Sequence, residues 1–238
     1  MAKISIKGAI IPNNDQWIYD WLEMDATSPR MVNQQIENAK GQDLEVEINS
    51  GGGSVFDGSE IYTSLKSYPG NVTVKIVGLA ASAASVIAMA GDKILMSPTS
   101  QMMIHNASVN ASGDYRTMEH TSEILKNVNK TVSNAYRIKS GMDEETLLQM
   151  MNNETWLTPQ QAIDLKLIDQ VMFENDNQLS IVASTYDSQM LPQNIINKIR
   201  NELRPSNSKK MNEVDIFMQK KAKAQLNLLK LKGEFIDE

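Results

Sequence analysis

Gly78-Leu79-Ala80-Ala81-Ser82-Ala83-Ala84-Ser85 follows an apolar strand and precedes, by about twenty residues, the segment Met103-Ile104-His105. It reads as a strand that turns sharply into a helix of small residues, with a serine at the turn. One of the chain's two histidines follows close behind a second strand. A serine hydroxyl becomes a nucleophile when a base within hydrogen-bond reach can take its proton. Small neighbours let a substrate backbone, and the amides that would hold its oxyanion, come close.

Working outward from this turn, strands and helices alternate. Lys3 to Ile11 alternates and ends at Pro12, which predicts a strand; Ser28-Pro29 supplies an N-cap and first-turn proline for a helix to about Lys40. Leu44, Val46 and Ile48 alternate with acidic residues in a strand expected to stop at Asn49-Ser50-Gly51-Gly52-Gly53. A helix over Asp57 to Tyr68 ends at Pro69-Gly70, and a strand over Val72 to Val77 completes a right-handed parallel unit. The Ser82 helix runs to about Ala90, and strands follow at Lys93 to Met96 and Gln101 to Ile104. A long polar helix spans Tyr115 to Lys139 and ends at Gly141; a shorter one covers Asp143 to Met151. Thr158-Pro159-Gln160-Gln161 has the capping-box pattern for a final helix reaching Leu167, and Asp169 to Phe173 forms a closing strand. The pattern predicts an α/β protein with its chemistry at strand ends.

Composition narrows the chemistry. The 238-residue chain suits one domain, over 1–174, with a linker over 175–192 and a basic tail, helical or partly disordered, over 193–238. With no cysteine there is no thiolate nucleophile or thiolate metal site, so a nucleophile is sought among hydroxyls. A net charge of −6 argues against nucleic acid as the main ligand, although basic residues predominate from Lys198 to Lys232. No apolar run is long enough to span a bilayer, and Met1 to Lys7 lacks a signal-peptide core. The expectation is a soluble, cytoplasmic protein without membrane contact.

Ser82 and His105 supply a nucleophile and a base, and Glu154 is the candidate for a third group that fixes the base's tautomer. The glycine run Gly51-Gly52-Gly53 lies between a strand and a helix, so an amide there can face the site beside the amide of Ala83. Two such donors form an oxyanion hole, each worth about 3 kcal/mol in the transition state. Each element alone has a plainer reading. Glycine runs make tight turns or phosphate cradles, although this one lacks the lysine and hydroxyl of a Walker motif. Ser82 among alanines suits close helix packing, and His105 suits a hydrogen-bonded strand end. His120 lies in a polar helix and is set aside.

Taken in order, Asn49-Ser50-Gly51-Gly52-Gly53, Gly78 to Ala84, Met103-Ile104-His105, and Trp156-Leu157-Thr158 with Ala162 and Asp169 resemble the Clp protease proteolytic subunit family. The likeness runs from about Leu44 to Val171 and is strongest toward the Clp-like head-maturation proteases of tailed phages. It implies a Clp-protease/crotonase-like superfold of repeated strand-strand-helix units and a ring-forming serine endopeptidase that needs no cofactor or metal. By the resemblance Ser82 is the nucleophile, His105 the general base, and the backbone N–H groups of Gly53 and Ala83 the oxyanion donors. Counting back from Trp156-Leu157-Thr158 puts Glu154 where the family usually has aspartate. Gly51 replaces a usual proline and Ala83 a common methionine; both changes preserve backbone donors.

The resemblance also implies a homo-oligomer, heptameric or double-heptameric, acting on a protein substrate such as a capsid or scaffold protein. Residues 1–39 do not resemble the segments by which a Clp subunit meets its unfoldase, which argues against a partner ATPase. Two other readings stand beside the peptidase: a catalytically inactive assembly or scaffold component, and a crotonase-type acyl-CoA enzyme. In the tail, Val214, Phe217, Leu228 and Leu231 fall at helical spacing, which suits either a solvated segment or an amphipathic helix that binds a neighbour.

Overall fold

The computed structural model describes residues 1–173 and Lys220. The linker and tail expected beyond residue 174 therefore lie outside the described residues, Lys220 apart. Two compact units are distinguished: residues 1–13 and 26–173 belong to one, and Asn14–Asp25 to the other. Asn14–Asp25 holds the short helix α1 (Gln16–Trp21), followed by a turn in which the Met24 N–H donates to the Tyr19 carbonyl at 2.9 Å.

The larger unit is mixed α/β with a mostly parallel sheet. Its strands are β1 (Ala2–Ile10), β2 (Ala26–Thr27), β3 (Leu44–Gly53), β4 (Val72–Ala81), β5 (Lys93–Met96), β6 (Gln101–Ile104), β7 (Thr155–Leu157) and β8 (Gln170–Val171). Its helices are α2 (Pro29–Asn38), α3 (Val55–Lys66), α4 (Ala83–Ala88), α5 (Tyr115–Ser140), α6 (Glu144–Asn152) and α7 (Pro159–Asp164). The sheet order is β2-β1-β3-β4-β5-β8, with β6 branching from β4 and β7 pairing with β6. Every pairing is parallel except β6 with β7. This architecture is consistent with the Clp-protease/crotonase-like fold.

Alternation decides which side of each strand is buried. Ile4 and Ile6, Leu44, Val46 and Ile48, and Val72, Val74 and Ile76 point into one core with Ile61 and Leu65 of α3 and Ile87 of α4. On the other face Lys3 pairs with Glu47 and Lys75 with Glu45, each at 2.7 Å. Acidic residues at alternate positions of β3 thus meet lysines of both flanking strands.

Two expected strands are longer than predicted. β3 continues through the glycines to Gly53 because Gly52 and Gly53 still pair with Ala9 and Ile10 of β1. β4 continues past Val77 to Ala81, after a register shift that moves its partner in β3 from Ile48–Ile76 to Ser50–Ala80. The Asn49 side chain bridges that shift, its Oδ1 accepting the Leu79 N–H at 3.0 Å. A β-carbon on Gly78 would fall 2.4 Å from the same oxygen, so any larger residue there would displace the Asn49 amide.

Helix ends follow their caps. α5 ends at Gly141 in the left-handed conformation, as its sequence predicts. The Thr158–Gln161 capping box forms, but α7 stops at Asp164 rather than Leu167, with Lys166 at φ 57 in the turn that follows. α3 and α6 begin at Val55 and Glu144, and the final strand contracts to Gln170–Val171. Ser28 sits at the N-cap of α2 in extended conformation, without the expected side-chain hydrogen bond. The sequence reading passed over α1, β2 and β7, which are too short for a periodic signal.

Candidate active site

The end of β4 delivers Ser82 into a sharp turn. Ser82 has φ 54 and ψ −127, a backbone state that costs a non-glycine residue about 1–3 kcal/mol and persists only where its surroundings over-determine it. Several contacts do so. The Ser82 N–H donates to the Met103 carbonyl of β6 at 2.9 Å. The Ser82 carbonyl accepts from the N–H groups of Ser85 and Val86 at 3.0 and 3.3 Å, and from the Ser85 hydroxyl at 2.7 Å. Gly52 packs directly against the turn: a β-carbon there would meet Ser82 Cβ at 2.6 Å and the Ala81 carbonyl at 2.7 Å. Gly58 of α3 plays the same part for Ala83, whose Cβ lies 2.9 Å from where a β-carbon would stand. The small residues around Ser82 therefore serve close packing as well as access.

A serine at a helix N-cap ordinarily turns its oxygen onto the first-turn amides. Ser82 makes no such bond. Its Oγ instead lies 2.7 Å from His105 Nε2. For the hydroxyl to donate along that contact, Nε2 must be the bare nitrogen and Nδ1 must carry the hydrogen. β6 runs beside the end of β4, with Ala81 in register with Met103, so the histidine that follows β6 reaches the serine that follows β4.

The third candidate is placed differently. Glu154 follows the C-cap of α6 at φ 46 and leads the chain into β7. β6 and β7 pair antiparallel, with Met102 opposite Leu157, Met103 opposite Trp156 and Ile104 opposite Thr155. His105 and Glu154 are the residues that adjoin the last of these pairs. The Glu154 side chain is nevertheless exposed, with Oε1 accepting the Trp156 indole N–H at 3.3 Å. Among the described residues no hydrogen bond joins it to His105. Next to the histidine, Asn106 Nδ2 donates to Asn152 Oδ1 at 2.7 Å and ties the end of β6 to the end of α6.

The expected oxyanion donors, the N–H groups of Gly53 and Ala83, come from the end of β3 and the start of α4. The Ser54 N–H donates to the Ile10 carbonyl at 2.8 Å. Ala83 opens α4, and the first N–H groups of a helix have no acceptor within it. The Ala83 nitrogen would lie 3.0 Å from a β-carbon on Gly52, which brings the glycine run and the start of α4 together.

Sequence reasoning missed the side chains behind the turn. Ser85 Oγ contacts Tyr136 Oη of α5 at 2.7 Å, and both residues are buried. A signal was present for Ser85, since a helical serine can bond a carbonyl three or four residues earlier. None was present for Tyr136, whose partner is 51 positions away. Burial pushes the Tyr136 phenol well above its ordinary value, with the Ser85 hydrogen bond opposing, so the hydroxyl stays protonated.

Fold and site together define an α/β protein with a serine–histidine pair where two adjacent parallel strands end. The family model described as Clp protease matches residues 24–175. The ATP-dependent Clp protease proteolytic subunit of Ligilactobacillus salivarius is 35% identical over 133 residues, 55% of this chain and 68% of that protein. Its counterpart from Deinococcus radiodurans is 34% identical over 134 residues, covering 55% of this chain and 65% of that protein. The ATP-dependent Clp protease proteolytic subunit 1 of Chlamydia abortus is 33% identical over 138 residues, covering 56% and 71%. The chain belongs to the Clp protease family, a family of peptidases.

Among the described residues no helix is long and apolar enough to cross a membrane.

Proposed function

We propose that this chain is a serine endopeptidase in which Ser82 is the nucleophile and His105 the general base. The observation that carries the reading is the 2.7 Å contact between Ser82 Oγ and His105 Nε2 at a backbone turn held in an unfavourable conformation. Ser82 Oγ attacks the peptide carbonyl as its proton passes to Nε2. The imidazolium then gives that proton to the departing amine, which leaves an acyl-enzyme. Water, deprotonated by His105, adds to the acyl carbon, and collapse returns the proton to Ser82 and releases the acid. The N–H groups of Gly53 and Ala83 hold the oxyanion in both steps.

In this reading Glu154 completes the triad by accepting the Nδ1–H of His105. Its carboxylate rests on Trp156, so it has to swing from indole to imidazole, and its place next to the last β6–β7 pair supports that reading. Family membership further supports a ring of identical subunits acting on protein substrates. The resemblance to phage enzymes makes a capsid or scaffold protein inside a precursor shell the proposed substrate, reached by co-assembly rather than by an unfoldase.

Intact mass after exposure to a fluorophosphonate tests the chemistry. An adduct on Ser82 that disappears in His105→Ala is the expected result. An assembled protein that takes no adduct would instead favour an inactive assembly component, the reading supported by the Glu154–Trp156 contact.

A further inference from the structure

We infer that Ser85 and Tyr136 are positioning residues that aim the Ala83 N–H, an inference that rests on the serine-peptidase reading above. The argument starts from one hydrogen. Ser85 Oγ carries a single proton and spends it on the Ser82 carbonyl at 2.7 Å. At its 2.7 Å contact with Tyr136 the same oxygen must then accept, and the phenol must donate. The chain of bonds runs one way: Tyr136 O–H to Ser85 Oγ, and Ser85 O–H to the Ser82 carbonyl. Its direction is fixed because the Ser82 carbonyl oxygen can only accept.

The carbonyl that receives this chain belongs to the same peptide plane as the Ala83 N–H. A trans peptide is rigid, with its C=O and N–H pointing in opposite directions. Holding the Ser82 oxygen toward Ser85 therefore turns the Ala83 N–H the other way, out of the helix; the Ala83 nitrogen stands 3.0 Å from where a β-carbon on Gly52 would be. The backbone N–H groups of Ser85 and Val86 approach the same oxygen at 3.0 and 3.3 Å, longer than the hydroxyl bond. An alanine at 85 would suit the packing of α4, whose neighbouring Ala83, Ala84 and Ala88 are all buried. A hydroxyl there is costly unless bonded, and Tyr136 reaches in from α5 to bond it. Neither group is hydrogen-bonded to the Ser82 hydroxyl, so their influence on the site runs through the peptide plane.

An oxyanion donor strengthens as charge develops on the carbonyl, so misaiming it lowers kcat and leaves KM nearly unchanged. The test uses the full chain with two probes, a fluorophosphonate and p-nitrophenyl acetate, on wild type, Tyr136→Phe, Ser85→Ala and the double variant. Each variant is compared well below its own midpoint of thermal unfolding. The expected result is about a tenfold fall in labelling rate and in kcat for both single variants, with KM within about twofold. The double variant falls no further than Ser85→Ala, because Tyr136 acts only through Ser85, and the pH midpoint of the rate is unmoved. Should Tyr136→Phe fail to fold, Ser85→Ala carries the comparison. Folded variants that label and turn over at the wild-type rate, with only their unfolding midpoints lowered, would overturn the inference. So would a raised KM at unchanged kcat. A wild type that never labels overturns the peptidase reading itself, which separates the two failures.

Discussion

Gly52 and Glu154 show how single residues set the site, one by lacking a side chain and one by holding an awkward backbone. At Gly52, φ is +94 and a β-carbon would fall within 2.7 Å of both Ser82 Cβ and the Ala81 carbonyl. Neither neighbour can retreat, since both belong to the strained turn. Gly52→Ala is expected to cost more than about 3 kcal/mol in denaturant unfolding. Gly58→Ala, which meets only the Ala83 side chain under 3.0 Å and has no unfavourable φ, is expected to cost less. Glu154 occupies φ 46, where glycine is more comfortable. Glu154→Gly is therefore expected to raise stability by about 0.5–1 kcal/mol while slowing fluorophosphonate labelling of Ser82. A variant that is both more stable and equally reactive would remove Glu154 from the triad. Glu154→Gln, equal in size but unable to carry charge, checks the same point.

Among the elements, three helices are closed by side chains whose loss can be read directly. Thr158 and Gln161 cap α7 reciprocally, the Thr158 N–H donating to Gln161 Oε1 at 2.9 Å and the Gln161 N–H to Thr158 Oγ1 at 3.4 Å. Thr158→Ala is expected to lower stability by about 1 kcal/mol, measured by denaturant unfolding. Asp114 and Asp143 cap α5 and α6, accepting the backbone N–H groups of Thr117 and Thr146 at 3.0 and 2.8 Å. Those hydrogen bonds hold both carboxyls below the ordinary aspartate value of 3.8. A carboxyl lowered on folding gives stability that is fully present above its unfolded pKa and is lost as pH falls through its folded one. Amide exchange at Thr117 and Thr146 should therefore be slow near neutrality and quicken, relative to the intrinsic rate, below about pH 4. Protection unchanged at pH 2 would mean the caps contribute nothing. The short strand β7 matters for a different reason: it pairs antiparallel with β6 as far as Ile104 opposite Thr155, the residues that adjoin His105 and Glu154.

At the scale of the molecule, a mostly parallel sheet packs one face into the core and leaves Lys3, Glu45, Glu47 and Lys75 as paired charges on the other. Parallel sheets are usually covered on both faces. Clp family membership makes a ring of subunits the expected assembly. Analytical ultracentrifugation should find a species several times the 26.5 kDa of the single chain. If labelling depends on assembly, its rate should fall on dilution as that species dissociates. A monomer at all concentrations that labels fully would exclude the ring as a requirement.

Local sequence carries the order of the longer strands and helices, the Gly141 end of α5, the capping box of α7, the candidate nucleophile and base, and the family resemblance. Those features rest on local periodicity, on cap and turn chemistry, and on motifs contiguous in the chain. The tertiary fold keeps the glycine run in the sheet, because pairing with β1 outlasts the local turn signal. It alone brought Tyr136 to Ser85 across 51 positions, and paired β7 antiparallel with β6 just ahead of His105. Such contacts depend on the register of β6 with β4 and β7 and on the packing of α5 against α4, which no local stretch encodes. Ser82 spans both levels. Its neighbours in sequence give it a turn and a helix, and residues distant in sequence hold that turn in the strained form that points its hydroxyl at His105.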